Sequence, residues 1–155
     1  MNNKSFTLIE VLLSVFILTV AVLGLYNGIN YSYNSVKKAK DKFMAAYLAE
    51  EGVELVKNLR DTNFVSRTEP WSTGLTNCPI TAPCKIDITD TALDSTSPYA
   101  LLKNDNGIYS YDSGVDTIFS RQITTIESGD KIKVIVTVTY GNEEFELQQY
   151  LYNWF

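Results

Sequence analysis

The sequence predicts an α+β protein: a long N-terminal helix crosses a membrane with its first half and packs on a C-terminal antiparallel β-sheet with its second. Three observations predict it. Residues 6–26 form an apolar run whose single charge is Glu10, apolar residues from Val36 to Leu59 recur mostly at three- and four-residue steps, and the last third of the 155-residue chain alternates apolar with polar residues. These are the signatures of a spanning helix, an amphipathic helix and half-buried strands. The length suits one domain plus its anchor.

The first element is the apolar run. As a helix, Phe6 to Tyr26 rises about 31 Å, close to the roughly 30 Å hydrocarbon core of a bilayer. A secretory signal has a shorter apolar core followed by a small-residue cleavage site. No such site follows here, because the chain continues Gly24-Leu25-Tyr26-Asn27-Gly28-Ile29-Asn30-Tyr31. The run is therefore expected to be retained as an anchor. Gly24 and Gly28 form a Gly-x-x-x-Gly step that permits close helix contact or a local bend. Tyr26, Tyr31 and Tyr33 suit an interfacial aromatic belt. Glu10 is the exception within the run. It is read either as a carboxylate near the interface, protonated or reached by water, or as one kept for a partner, since ionisable groups in hydrocarbon are costly.

Lys4-Ser5-Phe6-Thr7-Leu8-Ile9-Glu10-Val11-Leu12-Leu13 resembles the class III signal sequence and N-terminal helix of type IV prepilins and of the pseudopilins of type II secretion. The resemblance implies a pilin-like fold and a prepilin peptidase that cuts between Ser5 and Phe6 and N-methylates Phe6. It also implies that Glu10 is an assembly contact to a neighbouring subunit's terminal amine. Ser5 stands where the family usually has Gly, less often Ala, and keeps the residue small. Within the family, Ile17-Leu18-Thr19-Val20-Ala21-Val22-Leu23-Gly24-Leu25 is most similar to minor pilins of the type IV pilus modification class. Looser support comes from Phe119-Ser120-Arg121-Gln122-Ile123, from Val136-Thr137-Val138-Thr139-Tyr140-Gly141 and from the closing Asn153-Trp154.

The implied layout is a leader over 1–5, a transmembrane and assembly segment over 6–30, and an extracytoplasmic domain over 31–155. The implied function is that of a structural minor subunit of a type IV pilus or a secretion pseudopilus. Its partners would be other pilins or pseudopilins, the prepilin peptidase and the inner-membrane assembly platform. Its place would be the cytoplasmic membrane, amino terminus inside and domain outside, and then a filament. The alternative is a singly anchored binding or adhesion module that does not polymerise.

Beyond the anchor, Val36, Ala39, Phe43, Ala46, Tyr47, Val53, Val56 and Leu59 place one apolar face on a helix continuing to about Arg60, with Lys and Glu filling much of the remainder. Residues 61–98 carry Pro70, Pro79, Pro83 and Pro98 among many polar residues and read as a loop-dominated connector. Such loops, held by a rigid scaffold, are where specialised contacts are expected. Within it, Trp71 is expected to cover part of the core and Lys85 to Asp90 to form a short strand.

Both cysteines lie in this connector, at Cys78 and Cys84. Their spacing matches neither the usual zinc pattern nor a thioredoxin-like one, and there is no second pair. Outside the cytoplasm a Cys78–Cys84 disulfide is favoured over two free thiols, with a stabilisation of about 2–4 kcal/mol.

The region from 99 to 155 is expected to be a β-meander. Its strands are Ile108–Tyr111, about Thr117 to Ile126, a third built on Ile132, Val134, Val136 and Val138, and a last one through Phe145, Leu147 and Leu151. Turns are expected at Glu127–Asp130 and at Gly141-Asn142. The apolar face of this sheet needs a cover, and the helical stripe supplies it.

Composition narrows the function classes. The formal charge of −5, with basic residues interspersed among acids, indicates no nucleic-acid partner. The chain has no His, which removes the commonest general base and zinc nitrogen ligand. Ser and Thr lack an evident activator, so no enzyme, catalytic residue, cofactor or metal site is expected. Asn104-Asp105-Asn106-Gly107 lacks the first Asp and downstream Glu of an EF-hand and reads as a turn. Whether Asp112, Asp116 and Asp130 converge on calcium is left open. Arg121, between Phe119 and Ile123, is read as a head that snorkels from an apolar stem or pairs with an acid.

Overall fold

The computed structural model describes residues 7–67, 70–95, 101–105, 107–111 and 114–153, the side chains of 101–105 excepted. Helix α1 spans Leu8–Ser66, and five strands follow: β1 Leu101–Asp105, β2 Ile108–Ser110, β3 Val115–Ser128, β4 Lys131–Tyr140 and β5 Glu143–Tyr152. The chain forms two units, one up to Lys40 and one from Asp41 onward.

In the first unit every described side chain is exposed. Three of its polar side chains turn back on the helix itself. Ser14 Oγ donates to Glu10 O at 2.7 Å, Thr19 Oγ1 to Phe16 O at 2.8 Å, and Asn30 Nδ2 to Tyr26 O at 3.0 Å. A helix in lipid must satisfy its polar groups internally, and these bonds do so. Gly24 and Gly28 both lie within α1, and a Cβ on either would meet nothing within 4 Å.

In the second unit the sheet has the order β2-β1-β3-β4-β5, antiparallel throughout. Strand β4 buries Ile132, Val134, Val136 and Val138 and turns the residues between them outward, as its alternation predicts. Two-residue turns join β3 to β4 and β4 to β5, pairing Ser128 with Lys131 and Tyr140 with Glu143. Gly129 and Gly141 open these turns at φ 60° and 61°, a left-handed conformation that glycine adopts without steric penalty. The core joins these β4 residues to Phe119, Ile123, Leu151, Leu75 and Ile86, and to one face of α1. A long helix packed on a C-terminal antiparallel sheet is the α+β arrangement that the sequence predicts.

Four details differ from the sequence reading. The packed face of α1 is Ala45, Leu48, Ala49, Gly52, Val53, Val56, Leu59 and Arg60, whereas Val36, Ala39, Phe43 and Tyr47 are exposed. Phe43 and Tyr47 are 69% and 67% exposed. The sheet approaches too closely for large residues: a Cβ at Gly52 would lie 3.0 Å from Val136 Cγ1 and 3.1 Å from Arg121 Cδ. Alanines and a glycine fit there, and aromatic rings do not.

The helix also outlasts Arg60 and reaches Ser66. The connector folds back on its last turns, where Asn63 Nδ2 donates to Trp71 O at 3.1 Å and Thr73 O at 2.8 Å, and Phe64 stacks on Trp71. Trp71 packs against the core, as expected. Arg67, at φ 51°, follows the helix.

Lys85 to Asp90 is not a strand. Cys84 and Lys85 make isolated bridges to Ile123 and Asp94, and the chain then turns, with Asp90 N donating to Asp87 O at 3.1 Å. Asp87 Oδ1 accepts the Ile88 N–H, and Asp90 Oδ2 accepts the Asp87 N–H. The acid side chains thus occupy donors that a neighbouring strand would need.

Finally, the sheet is not a simple meander. Strand β1 lies between β2 and β3, so Ile108–Ser110 sits at an edge rather than beside β3. Leu101–Asp105 is short and shows no alternation, which hid it in the sequence. The predicted turn joins β1 to β2, with Asp105 opposite Ile108 and Gly107 at φ 89°. Asn106 lies outside the described residues.

Candidate functional site

The start of α1 is built by Thr7, whose carbonyl accepts the Glu10 N–H at 3.1 Å and the Val11 N–H at 3.3 Å. Glu10 lies in the first turn, where the helix macrodipole favours an anion. Its side chain is exposed and makes no ion pair or side-chain hydrogen bond among the described residues. Around it Leu8, Ile9, Leu12, Leu13, Phe16 and Ile17 are all more than half exposed. A soluble monomer rarely leaves so much contiguous apolar surface uncovered. By length and composition this helix is apolar enough to cross a membrane, consistent with a single-pass anchor. Ser5 and Phe6, the predicted processing pair, lie outside the described residues.

In the second unit the connector is fastened to β3 by two separate devices. The first is the Cys78–Cys84 disulfide, with Cα atoms 5.4 Å apart. The Thr125 N–H donates to Cys78 O, while Cys84 and Ile123 exchange both backbone bonds, all at 2.8 Å. The second is Arg121, whose place between Phe119 and Ile123 points it at the helix. It is 1% exposed, which rules out snorkelling, and it does pair with an acid. Its Nη1 donates to Leu48 O at 3.1 Å and lies 3.3 Å from Glu51 Oε2, and its Nη2 donates to Ile86 O at 3.1 Å. Its Nε donates to the Tyr111 hydroxyl at 3.0 Å, and that hydroxyl donates in turn to Arg121 O at 3.2 Å. One guanidinium thus ties helix, connector, sheet and Tyr111 together, a task suited to its planar fork of donors.

Sequence reasoning did not foresee this hub. Its signal was an Arg at a core-facing position of an alternating strand, together with a glycine in the covering helix. The described polar groups that contact the guanidinium are engaged in binding it, and the cluster holds these segments together.

Burial pushes the Tyr111 phenol above its usual range, opposed by the Arg121 charge and hydrogen bond. A raised folded-state pKa means that the native state holds the proton more tightly than the unfolded chain. Stability from this group is complete below the unfolded value of about 10 and is lost as pH rises through the higher folded value. Denaturant unfolding at a series of alkaline pH values is expected to show this loss, and Tyr111→Phe to remove that component.

No group of three or more His, Cys, Asp or Glu that could hold a metal occurs among the described residues. Asp116 and Asp130 lie at opposite ends of β3 and do not converge. Asp112 lies outside the described residues. A groove of about 260 Å³ runs between the end of α1 and the Ile86–Thr91 turn, with Leu55 and Asn58 among its walls.

Comparison with known proteins bears on the first of these regions. Residues 1–26 match the family model described as a prokaryotic N-terminal methylation motif. No curated protein and no solved structure matches the chain. The motif implies processing by a prepilin peptidase and participation in a pilin assembly system. A prepilin-type methylation motif and a pilin-like helix and sheet therefore occur in one chain, consistent with the broad type IV pilin and pseudopilin superfamily.

Proposed function

We propose that this chain is a minor subunit, a minor pilin or pseudopilin, of a type IV pilus or a type II secretion pseudopilus, and that it contributes to filament assembly or surface specialisation. The observation that carries this reading is the coincidence of the methylation motif at residues 1–26 with a helix whose apolar side chains over 7–40 are exposed. Such a surface requires lipid or neighbouring helices. The subclass reading rests on Ile17 to Leu25 and its similarity to pilins of the type IV pilus modification class.

In this reading the prepilin peptidase cuts between Ser5 and Phe6, removes the 1–5 leader and N-methylates Phe6. Residues 6–30 then hold the protein in the cytoplasmic membrane, amino terminus inside and the 31–155 domain outside. The inner-membrane assembly platform transfers it into the filament beside other pilins. Glu10 becomes tolerable in that apolar surrounding when a neighbour's terminal ammonium pairs with it, because a buried charge is costly mainly when left unpaired. That pairing also favours one axial register between helices.

Intact mass and N-terminal fragment mapping of the native protein test the proposal. The expected result is an N-methylated Phe6 at the amino terminus. An intact Met1–Ser5 leader would select the singly anchored binding or adhesion module instead, with residues 61–98 as its recognition surface.

A further inference from the structure

We infer that the Cys78–Cys84 disulfide is a one-way latch that closes the outer edge of β3 at Thr125. Strand β1 covers this edge only as far as Ser120. Beyond it, alternate residues present their backbone groups to whatever lies beside the strand. The Tyr111 hydroxyl reaches Arg121 O, Cys84 takes both groups of Ile123, and Cys78 O takes the Thr125 N–H. The two cysteines thus occupy the place of a missing strand on an edge that would otherwise offer free donors and acceptors.

The two ends of the loop are held unequally. Next to Cys84, Lys85 exchanges two backbone bonds with Asp94 at 2.8 and 3.0 Å, and Ile86 O accepts from Arg121. This end stays anchored without the sulfur bridge. Cys78 has a single backbone bond to β3 and sits between Asn77, a non-glycine residue at φ 74°, and Pro79. The position it covers is also poorly satisfied, because Thr125 is 8% exposed and its Oγ1 has no hydrogen-bond partner among the described residues. On this inference, lifting Cys78 away is what gives that hydroxyl access to water. The closed state therefore carries an unmet polar group, and a crosslink to the firmly held Cys84 keeps it closed.

Closing the latch removes two electrons and two protons from the thiols, and a disulfide-class oxidant accepts them. Once closed it resists reduction, since Cys78 and Cys84 are 1% and 4% exposed and a reductant's thiolate must reach a sulfur. The edge of β3 is therefore completed once, in an oxidising compartment, and stays complete. This inference does not depend on filament assembly.

Amide hydrogen exchange on the full chain in detergent micelles tests it, comparing the disulfide form with the Cys78→Ala/Cys84→Ala variant. The amide of Thr125 is expected to exchange at least about tenfold faster in the variant, while Ile123 and the β4 amides keep their rates within about threefold. Adding Thr125→Val to that variant removes the unmet hydroxyl and is expected to restore protection at position 125. Unchanged exchange at Thr125, equal acceleration across Ile123 and β4, or no restoration by Thr125→Val would overturn the latch.

Discussion

Replacing Glu10 with leucine is expected to leave the protein in the membrane while lowering its recovery in filaments at least about tenfold. Insertion depends on the apolar run, and leucine only lengthens it. Incorporation, under the proposed function, depends on the ammonium of a neighbouring subunit finding a carboxylate in a region that offers it nothing else. Breaking one side of a buried pair costs about 3–5 kcal/mol, so a tenfold loss is a conservative expectation. Membrane fractionation reads the first quantity, and copurification with sheared filaments reads the second. Normal copurification of the variant would refute the assembly role of Glu10. The side chain has the exposure such a role requires, standing in the first turn of α1 without an internal partner among the described residues.

The second large effect concerns the folded domain. Arg121→Met keeps an apolar stem under Gly52 but removes the guanidinium. Leu48 O, Ile86 O and the Tyr111 hydroxyl then each lose a donor in the interior. Unsatisfied buried groups cost about 1–3 kcal/mol each, and a total loss near 3–5 kcal/mol follows once some of them relax toward water. Thermal unfolding of the full chain in micelles should shift down by at least about 10 °C. Glu51→Gln provides the contrast. Glu51 is 44% exposed, and a half-solvated partner contributes at most about 1 kcal/mol. Equal destabilisation by both substitutions would show that the ion pair, rather than the backbone carbonyls, is what Arg121 supplies.

Much of the β architecture was legible because it rests on short-range patterns. The alternation from Ile132 to Val138 admits only one buried face, and glycine at the first position of each two-residue turn sets the register on both sides. Strand β1 was not legible, since a five-residue strand without alternation carries little signal of its own. The helix was read correctly as a helix, and Val53, Val56 and Leu59 of its predicted stripe are buried, but toward its N-terminal side the wrong residues were chosen. Periodicity identifies a stripe of apolar residues, and α1 has two candidates: one with Phe43 and Tyr47, the other with Ala45, Leu48, Ala49 and Gly52. The larger residues attracted the sequence reading, whereas the sheet selected the smaller ones because the Val136 and Arg121 side chains come close to the helix at Gly52.

The same division holds for the sites. The apolar run, the lone Glu10 and the small residue before Phe6 are local features, so the sequence by itself determined the anchor and the methylation motif. Composition likewise left the chain without histidine. Two things were decided only by the tertiary structure: that Arg121 is buried as a hub, and that the cysteines close the edge of β3. Both depend on groups distant in sequence, such as Leu48 with Arg121 and Cys78 with Thr125, meeting across a packed core. Local propensity carries no information about such meetings. They follow from how closely one layer can approach another and from the requirement that buried backbone groups find partners.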